Sequence, residues 1–219
     1  MLDTIDIDSA AGPDAAVIWL HGLGADGHDF EPLVPRIVGD RERAWRFVFP
    51  HAPVRPVTLN GGMPMRAWYD LRSLDRRSAE DRAGFVDTDR RIRELIAREQ
   101  GRGIAPERIV LGGFSQGGAV SLYTATRLPE RLAGVFALSC YLPLAERLAA
   151  ERAAANDATP IFMAHGLQDD VLPPELGIAS RDFLRSLGYR VRWHEYPMPH
   201  SVCAEEIDAI RRFLFEVLP

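Results

Sequence analysis

Short apolar runs alternate with segments of helical period along the chain. The runs at 15–20, 45–50, 108–113, 134–139, 160–165 and 190–196 are bounded by turn residues and predict buried strands. Several of them are almost continuously apolar, as expected when helices cover both faces of a sheet. The alternating segment TIDID at 4–8 indicates an edge strand.

Apolar residues at three- to four-residue spacing predict helices over 84–101, 174–188 and 204–218. Strands that alternate with helices indicate an α/β fold, with a mostly parallel sheet and helices on both faces. No repeat or linker interrupts the pattern, so we predict a single domain over residues 1–219. Residues 50–83 carry no long periodic element, which is typical of a functional loop.

Composition and charge give no reason to expect several classes of partner and cofactor. The net charge of −5 gives no electrostatic reason to expect a nucleic-acid partner, and no apolar run is long enough to span a membrane. The acidic first ten residues are unlike a signal peptide, so we expect a cytoplasmic protein. Two cysteines give neither a disulfide framework nor a zinc spacing, and no metal or other cofactor is expected.

The sequence contains no lysine, since all 26 basic residues are arginine. Phosphate-binding loops with lysine, Schiff-base lysines and serine–lysine dyads are therefore excluded. If a serine is activated in this protein, histidine is the base that remains.

One serine lies in the pattern G-x-S-x-G, formed by residues 113–117 around Ser115. The pattern follows the strand at 108–113 and opens a helical segment, which is the setting of the nucleophile elbow in α/β-hydrolase folds. The alternative is a serine that caps a helix after a glycine turn. In the elbow, the backbone N–H of Gln116 is one donor to an oxyanion, and the glycine-rich turn after 15–20 offers Leu23 as the second. That turn alone could also be an ordinary glycine turn.

A base and an acid must follow the serine in this fold. Of the histidines after Ser115 with an acid between, His194 lies within a strand and His200 follows the last strand, so His200 is the predicted base. The loop after 160–165 offers Asp169 and Asp170 as the acid, and spacing does not separate them.

The segment between the predicted strands that end at 139 and begin at 160 bears on access to the site. It has room for about one helix, which is too little for a lid domain. We therefore expect an open site over a shallow apolar groove. The candidates to line it are Trp68, Leu71, Val171 and Leu172, although each could be an ordinary core residue.

Six segments carry a resemblance to a known family: VIWLHGLGADGHDF, FVFPHAPVRPVTLNGG, RAWYDL, GFSQGGAV, HGLQDDVLP and YPMPHS. The chain resembles the bacterial carboxylesterases of the phospholipase/carboxylesterase family, which are similar to acyl-protein thioesterases and lysophospholipases. The resemblance implies that Ser115 is the nucleophile, His200 the base and Asp169 the acid, with Leu23 and Gln116 as oxyanion donors.

The function implied is a carboxylesterase that cleaves short- to medium-chain esters through an acyl-enzyme, with an acyl-protein thioesterase or lysophospholipase as the alternative. Asp170 stands where thioesterase relatives often carry proline, which favours the esterase branch. The expected partners are a small-molecule or lipid ester and possibly an acylated protein; relatives are often homodimers. A peptidase of the same fold and a non-catalytic binding protein are the rival classes.

Overall fold

The computed structural model describes residues 1–40, 43–73 and 80–219. Its strands are β1 (Thr4–Asp8), β2 (Ala15–Leu20), β3 (Trp45–Pro50), β4 (Val54–Val57), β5 (Met63–Arg66), β6 (Ile109–Phe114), β7 (Gly134–Leu138), β8 (Ile161–Gly166) and β9 (Val191–Tyr196). The α-helices are α1 (Val34–Val38), α2 (Arg82–Gly101), α3 (Gln116–Arg127), α4 (Ala145–Glu151), α5 (Pro174–Ser186) and α6 (Ala204–Val217).

Seven strands form one sheet in the order β1-β3-β2-β6-β7-β8-β9. β1 runs antiparallel to β3 at the edge, and the other neighbours are parallel. The carboxyl ends of parallel strands meet at one edge of a sheet, which is where α/β proteins build their sites. The turns that follow β2, β6, β8 and β9 therefore converge there.

Two apolar cores cover the two faces of the sheet. One core contains residues of α2, α3, α4 and α5, and the other contains residues of α1 and α6. In β2 the alternation is regular: Ile18 and Leu20 join the first core, and Val17 and Trp19 join the second. A strand buried on both faces accounts for its continuous apolar sequence.

The predicted α/β fold, with a mostly parallel sheet and helices on both faces, is confirmed. Between β7 and β8 lie only α4 and a 3₁₀ turn at Ala154–Asn156, so no lid domain is inserted there. No helix within the described ranges has the length and apolar character needed to cross a bilayer.

The stretch at 50–83 has more regular structure than the sequence predicts. β4 and β5 form a two-stranded antiparallel hairpin, and α2 already begins at Arg82. Residues 74–79 of this stretch lie outside the described part of the chain. The hairpin gives no apolar alternation because Pro56 pairs with Pro64 and because Val54 and Met63 are exposed.

Candidate active site

Ser115 lies in the tight turn between β6 and α3. Its backbone has φ 55° and ψ −120°, a strained conformation for a residue with a side chain. A Cβ on Gly113 would lie 2.4 Å from the carbonyl carbon of Gly117, and one on Gly117 would lie 2.3 Å from the oxygen of Leu20. The two glycines of G-x-S-x-G are thus required by close backbone contact, as in a nucleophile elbow.

The structure brings Ser115, His200 and Asp169 into one hydrogen-bonded chain. The Ser115 Oγ lies 3.0 Å from Nε2 of His200, and Nδ1 of His200 lies 2.6 Å from Oδ2 of Asp169. A carboxylate at Nδ1 favours the tautomer in which Nε2 is free to accept a proton. The arrangement can therefore withdraw the hydroxyl proton of a serine.

Asp169 is held from several sides. Its Oδ1 accepts the backbone N–H groups of Val171 and Leu172, at 3.0 and 2.7 Å. The buried Nε2 of His165 lies 3.3 Å from Oδ2 and 2.8 Å from the carbonyl oxygen of Leu172. Asp169 is 5% exposed, whereas Asp170 faces solvent, so Asp169 is the carboxylate of the pair that reaches the imidazole.

The loops that carry Asp169 and His200 are joined by their backbones. Leu167 donates its N–H to the carbonyl oxygen of Tyr196, and Gln168 donates to that of Met198. These bonds continue the pairing of β8 with β9 beyond the sheet. They explain how two residues 31 positions apart reach bonding distance.

Leu23 and Gln116 both line the cavity beside Ser115. Within the described residues, neither backbone N–H donates to another protein group. Gln116 opens α3, where helix geometry leaves its N–H free and the helix dipole favours negative charge. Two unpaired donors beside a serine can bind an oxyanion.

Trp68 does not line the cavity, so its prediction as a groove residue is wrong. Its indole is fully buried and donates Nε1–H to the carbonyl oxygen of His21 at 2.8 Å. Its backbone N–H donates to Oε1 of Gln116 at 3.0 Å, and Nε2 of Gln116 donates to the carbonyl oxygen of Tyr69 at 3.2 Å. Trp68 therefore connects the turn after β2 to the turn after β6.

A cavity of about 410 Å³ opens at Ser115 and His200. Leu71, Val171 and Leu172, the groove candidates from the sequence, line this cavity, and so do Tyr69, Tyr141 and Leu176, which sequence reasoning missed. The charged residues of the lining are mostly acidic: Asp29, Asp70, Glu80, Asp81 and Glu146, with Arg72. Within the described residues, no group of three or more His, Cys, Asp or Glu side chains could hold a metal ion.

The model of the phospholipase/carboxylesterase family matches residues 4–218. The chain belongs to this family. Membership confirms the resemblance found in the sequence, the α/β-hydrolase fold, and the prediction of a hydrolase that acts on esters or thioesters.

Two relatives within this family are named Acyl-protein thioesterase 1. The one from Neurospora crassa is 43% identical and covers 97% of this chain and 91% of its own length. The one from Mycosarcoma maydis is 42% identical and covers 100% and 98%. Among solved structures, Zea mays acyl-protein thioesterase 2 has a TM-score of 0.89 at 28% identity, with both chains covered completely.

Proposed function

We propose that the protein is an acyl-protein thioesterase, which hydrolyses the thioester between a fatty acyl group and a protein cysteine. The hydrogen-bonded chain Ser115–His200–Asp169 at the mouth of an apolar cavity is the observation that carries the proposal. The names of the relatives support the thioesterase over the short-chain carboxylesterase that the sequence favoured.

The proposed reaction begins when Ser115 Oγ attacks the thioester carbonyl carbon and His200 Nε2 takes the hydroxyl proton. Asp169 holds the imidazole and stabilises its charged form. The N–H groups of Leu23 and Gln116 bind the oxygen of the tetrahedral intermediate. The C–S bond then breaks, and His200 returns the proton to the departing thiolate.

The second half of the reaction releases the acid. His200 takes a proton from water while the water oxygen attacks the acyl-enzyme carbonyl. The tetrahedral intermediate collapses, the bond to Ser115 breaks, and the proton moves from His200 to the serine oxygen. The products are the fatty acid and the free thiol, and no cofactor enters either step.

The cavity supports an acyl substrate with a bulky carrier. Apolar side chains of Leu71, Leu172 and Leu176 can contact an alkyl chain, and Val171, which also lines the cavity, is 47% exposed. Only α4 and a 3₁₀ turn lie between β7 and β8, so no inserted domain blocks a protein from approaching over that segment. The homodimer implied by the resemblance stays a prediction.

The experiment compares one peptide carrying an octanoyl or palmitoyl group on cysteine with the same peptide acylated on serine. Butyryl and longer p-nitrophenyl esters and a lysophospholipid run beside them. We expect kcat/KM for the thioester to exceed that for the matched oxyester by about tenfold or more. Hydrolysis confined to short p-nitrophenyl esters would indicate a carboxylesterase. Preference for the lysophospholipid would indicate a lysophospholipase.

The Ser115→Ala variant and a fluorophosphonate probe test the nucleophile itself. We expect the wild-type protein to be labelled at Ser115 and the variant to be neither labelled nor active. An unlabelled wild-type protein would favour a binding protein. Faster release of an amine from an aminoacyl amide than of a thiol or alcohol would favour a peptidase.

A further inference from the structure

The imidazole of His21 is buried behind the turn that follows β2, with 1% of the residue exposed. Its Nδ1 lies 2.7 Å from the carbonyl oxygen of Gly22, and its Nε2 lies 3.0 Å from the backbone nitrogen of Ala52. A backbone N–H can only donate, so Nε2 of His21 must accept. A neutral ring with an accepting Nε2 carries its proton on Nδ1, which donates to Gly22.

The His21 ring is uncharged at neutral pH. Burial lowers the pKa of His21 to about 4, although the carbonyl oxygen of Gly22 and the charge of Asp26 act in the opposite direction. One tautomer of His21 is therefore maintained. His21 has neither the position nor the protonation to replace His200, since both of its ring nitrogens are occupied by backbone groups.

The carbonyl that His21 holds belongs to the peptide bond between Gly22 and Leu23. In a trans peptide the C=O and the N–H point in opposite directions, and the described chain contains no cis peptide bond. Fixing the carbonyl oxygen of Gly22 towards the buried ring therefore fixes the N–H of Leu23 on the other side. Leu23 lines the cavity beside Ser115, and its N–H has no partner within the described residues.

The flanking contacts hold the same turn. Gly24 donates its N–H to the carbonyl oxygen of Arg66 at 2.9 Å, and Trp68 Nε1–H donates to the carbonyl oxygen of His21. Neither bond involves the atoms of the Gly22–Leu23 peptide. Its orientation thus depends on the His21 ring and on one longer bond, from Ala25 N–H to the Gly22 oxygen at 3.3 Å.

We propose that His21 is a positioning residue, whose Nδ1–H bond to the carbonyl oxygen of Gly22 aims the N–H of Leu23 at the oxyanion formed on Ser115. This inference rests on the proposed serine-hydrolase function. A donated hydrogen bond at the carbonyl also polarises the peptide, which strengthens its N–H as a donor. The bond acts mainly on the tetrahedral intermediate and on the transition states beside it, because the carbonyl oxygen of the bound substrate does not yet carry the negative charge.

Two variants separate the two bonds of the ring. In His21→Asn the side-chain NH₂ occupies the place of Nδ1 and can still donate to Gly22, while the bond from Ala52 is lost. In His21→Gln the longer side chain can accept from Ala52 but does not present a donor to Gly22. His194 is exposed in β9 and stacks on Phe162 outside the cavity, so His194→Asn and His194→Gln are matched controls.

The assay uses p-nitrophenyl butyrate, which does not depend on the natural acyl donor. We expect His21→Gln to lose about 10- to 100-fold in kcat with little change in KM, and His21→Asn to keep most of the activity. An alkyl boronic acid binds as a tetrahedral adduct of the serine. We expect His21→Gln to bind it more weakly than the wild-type protein does, by the same factor by which kcat/KM falls. If His21→Gln does not fold, His21→Phe, which lacks both ring nitrogens, takes its place.

Equal losses in the Asn and Gln variants, or losses of kcat that follow only the fall in melting temperature, would overturn the proposal. So would an unchanged boronate affinity in a variant with reduced kcat. Failure of the proposed function has a different signature. A preference for oxyesters over thioesters would refute the thioesterase and leave the expected difference between the Asn and Gln variants in place, whereas absence of Ser115-dependent hydrolysis in the wild-type protein would refute the serine hydrolase whatever residue occupies position 21.

Discussion

The side chain of Gln116 offers a sharp test of how the site is held together. Gln116 is 4% exposed, and its amide joins α3 to the segment at 68–69 through bonds of 3.0 and 3.2 Å. Gln116→Ala removes both bonds and leaves the N–H of Trp68, a fully buried residue, without its acceptor. A buried polar group left unpaired costs about 1–3 kcal/mol, and Tyr69 loses a donor to its carbonyl oxygen as well.

The sum predicts that Gln116→Ala lowers the free energy of unfolding by about 2–4 kcal/mol. Urea unfolding followed by circular dichroism measures this as a fall in the midpoint at an unchanged slope. Gln168→Ala is the matched control, because Gln168 is an exposed glutamine in a loop of the same site. We expect that control to stay within about 0.5 kcal/mol of wild type.

Activity should fall in Gln116→Ala as well. If Gln116 acted only through its backbone N–H, the effect would be mild, because that N–H survives the substitution. The structure adds that the lost side chain anchors Trp68, which itself holds the carbonyl oxygen of His21. We therefore expect kcat to fall by about tenfold. A variant as stable as Gln168→Ala, with wild-type kcat, would refute this reasoning.

Three further predictions concern other parts of the chain. Asp169→Asn should lower kcat by about 10³- to 10⁴-fold in steady-state assays while Asp170→Asn stays near wild type, and similar losses in both would remove Asp169 from the machinery. Gly117→Ala should unfold at a much lower temperature in calorimetry, because its Cβ would lie 2.3 Å from the oxygen of Leu20; a loss of less than about 1 kcal/mol would contradict that contact. Burial raises the pKa of Glu206 from 4.5 to about 8, so its carboxyl keeps its proton in the folded protein while the unfolded chain releases it, and stability is lost as pH rises between these values. The free energy of unfolding of Glu206→Gln, relative to wild type, should therefore increase by about 3 kcal/mol from pH 5 to pH 8 in urea unfolding. The same difference at both pH values would disprove this.

The sheet could be predicted from the sequence because its strands are buried on both faces. In β2 and β7 every residue is buried, so a strand can be found as a short apolar run. The hairpin β4–β5 could not be found in this way. Its stability comes from pairing of backbones that include Pro56 and Pro64, and such pairing has no apolar period in the sequence.

The residues of the candidate site also differ in how well the sequence predicts them. Ser115, Leu23 and His200 lie one, three and four residues beyond the ends of their strands, so the parallel topology brings them to one edge of the sheet. Trp68 lies in a segment without period, and nothing in the sequence indicates on which side of its backbone the indole lies. Apolar character therefore predicted a groove residue, whereas the indole N–H required a buried acceptor.

The position of Trp68 has a consequence for how the two candidate oxyanion donors are related. Leu23 and Gln116 follow neighbouring strands, β2 and β6, and each N–H is set by its own turn. Trp68 bonds to the His21 carbonyl oxygen on one side and to the Gln116 side chain on the other, so the two turns share one buried support. A hydrogen bond to a forming oxyanion depends steeply on distance and direction, and donors fixed before the reaction need no reorganisation during it. We therefore expect this tryptophan to fix the spacing of the two turns that carry the candidate donors, for which a buried ring with an N–H at its edge is better suited than a flexible side chain.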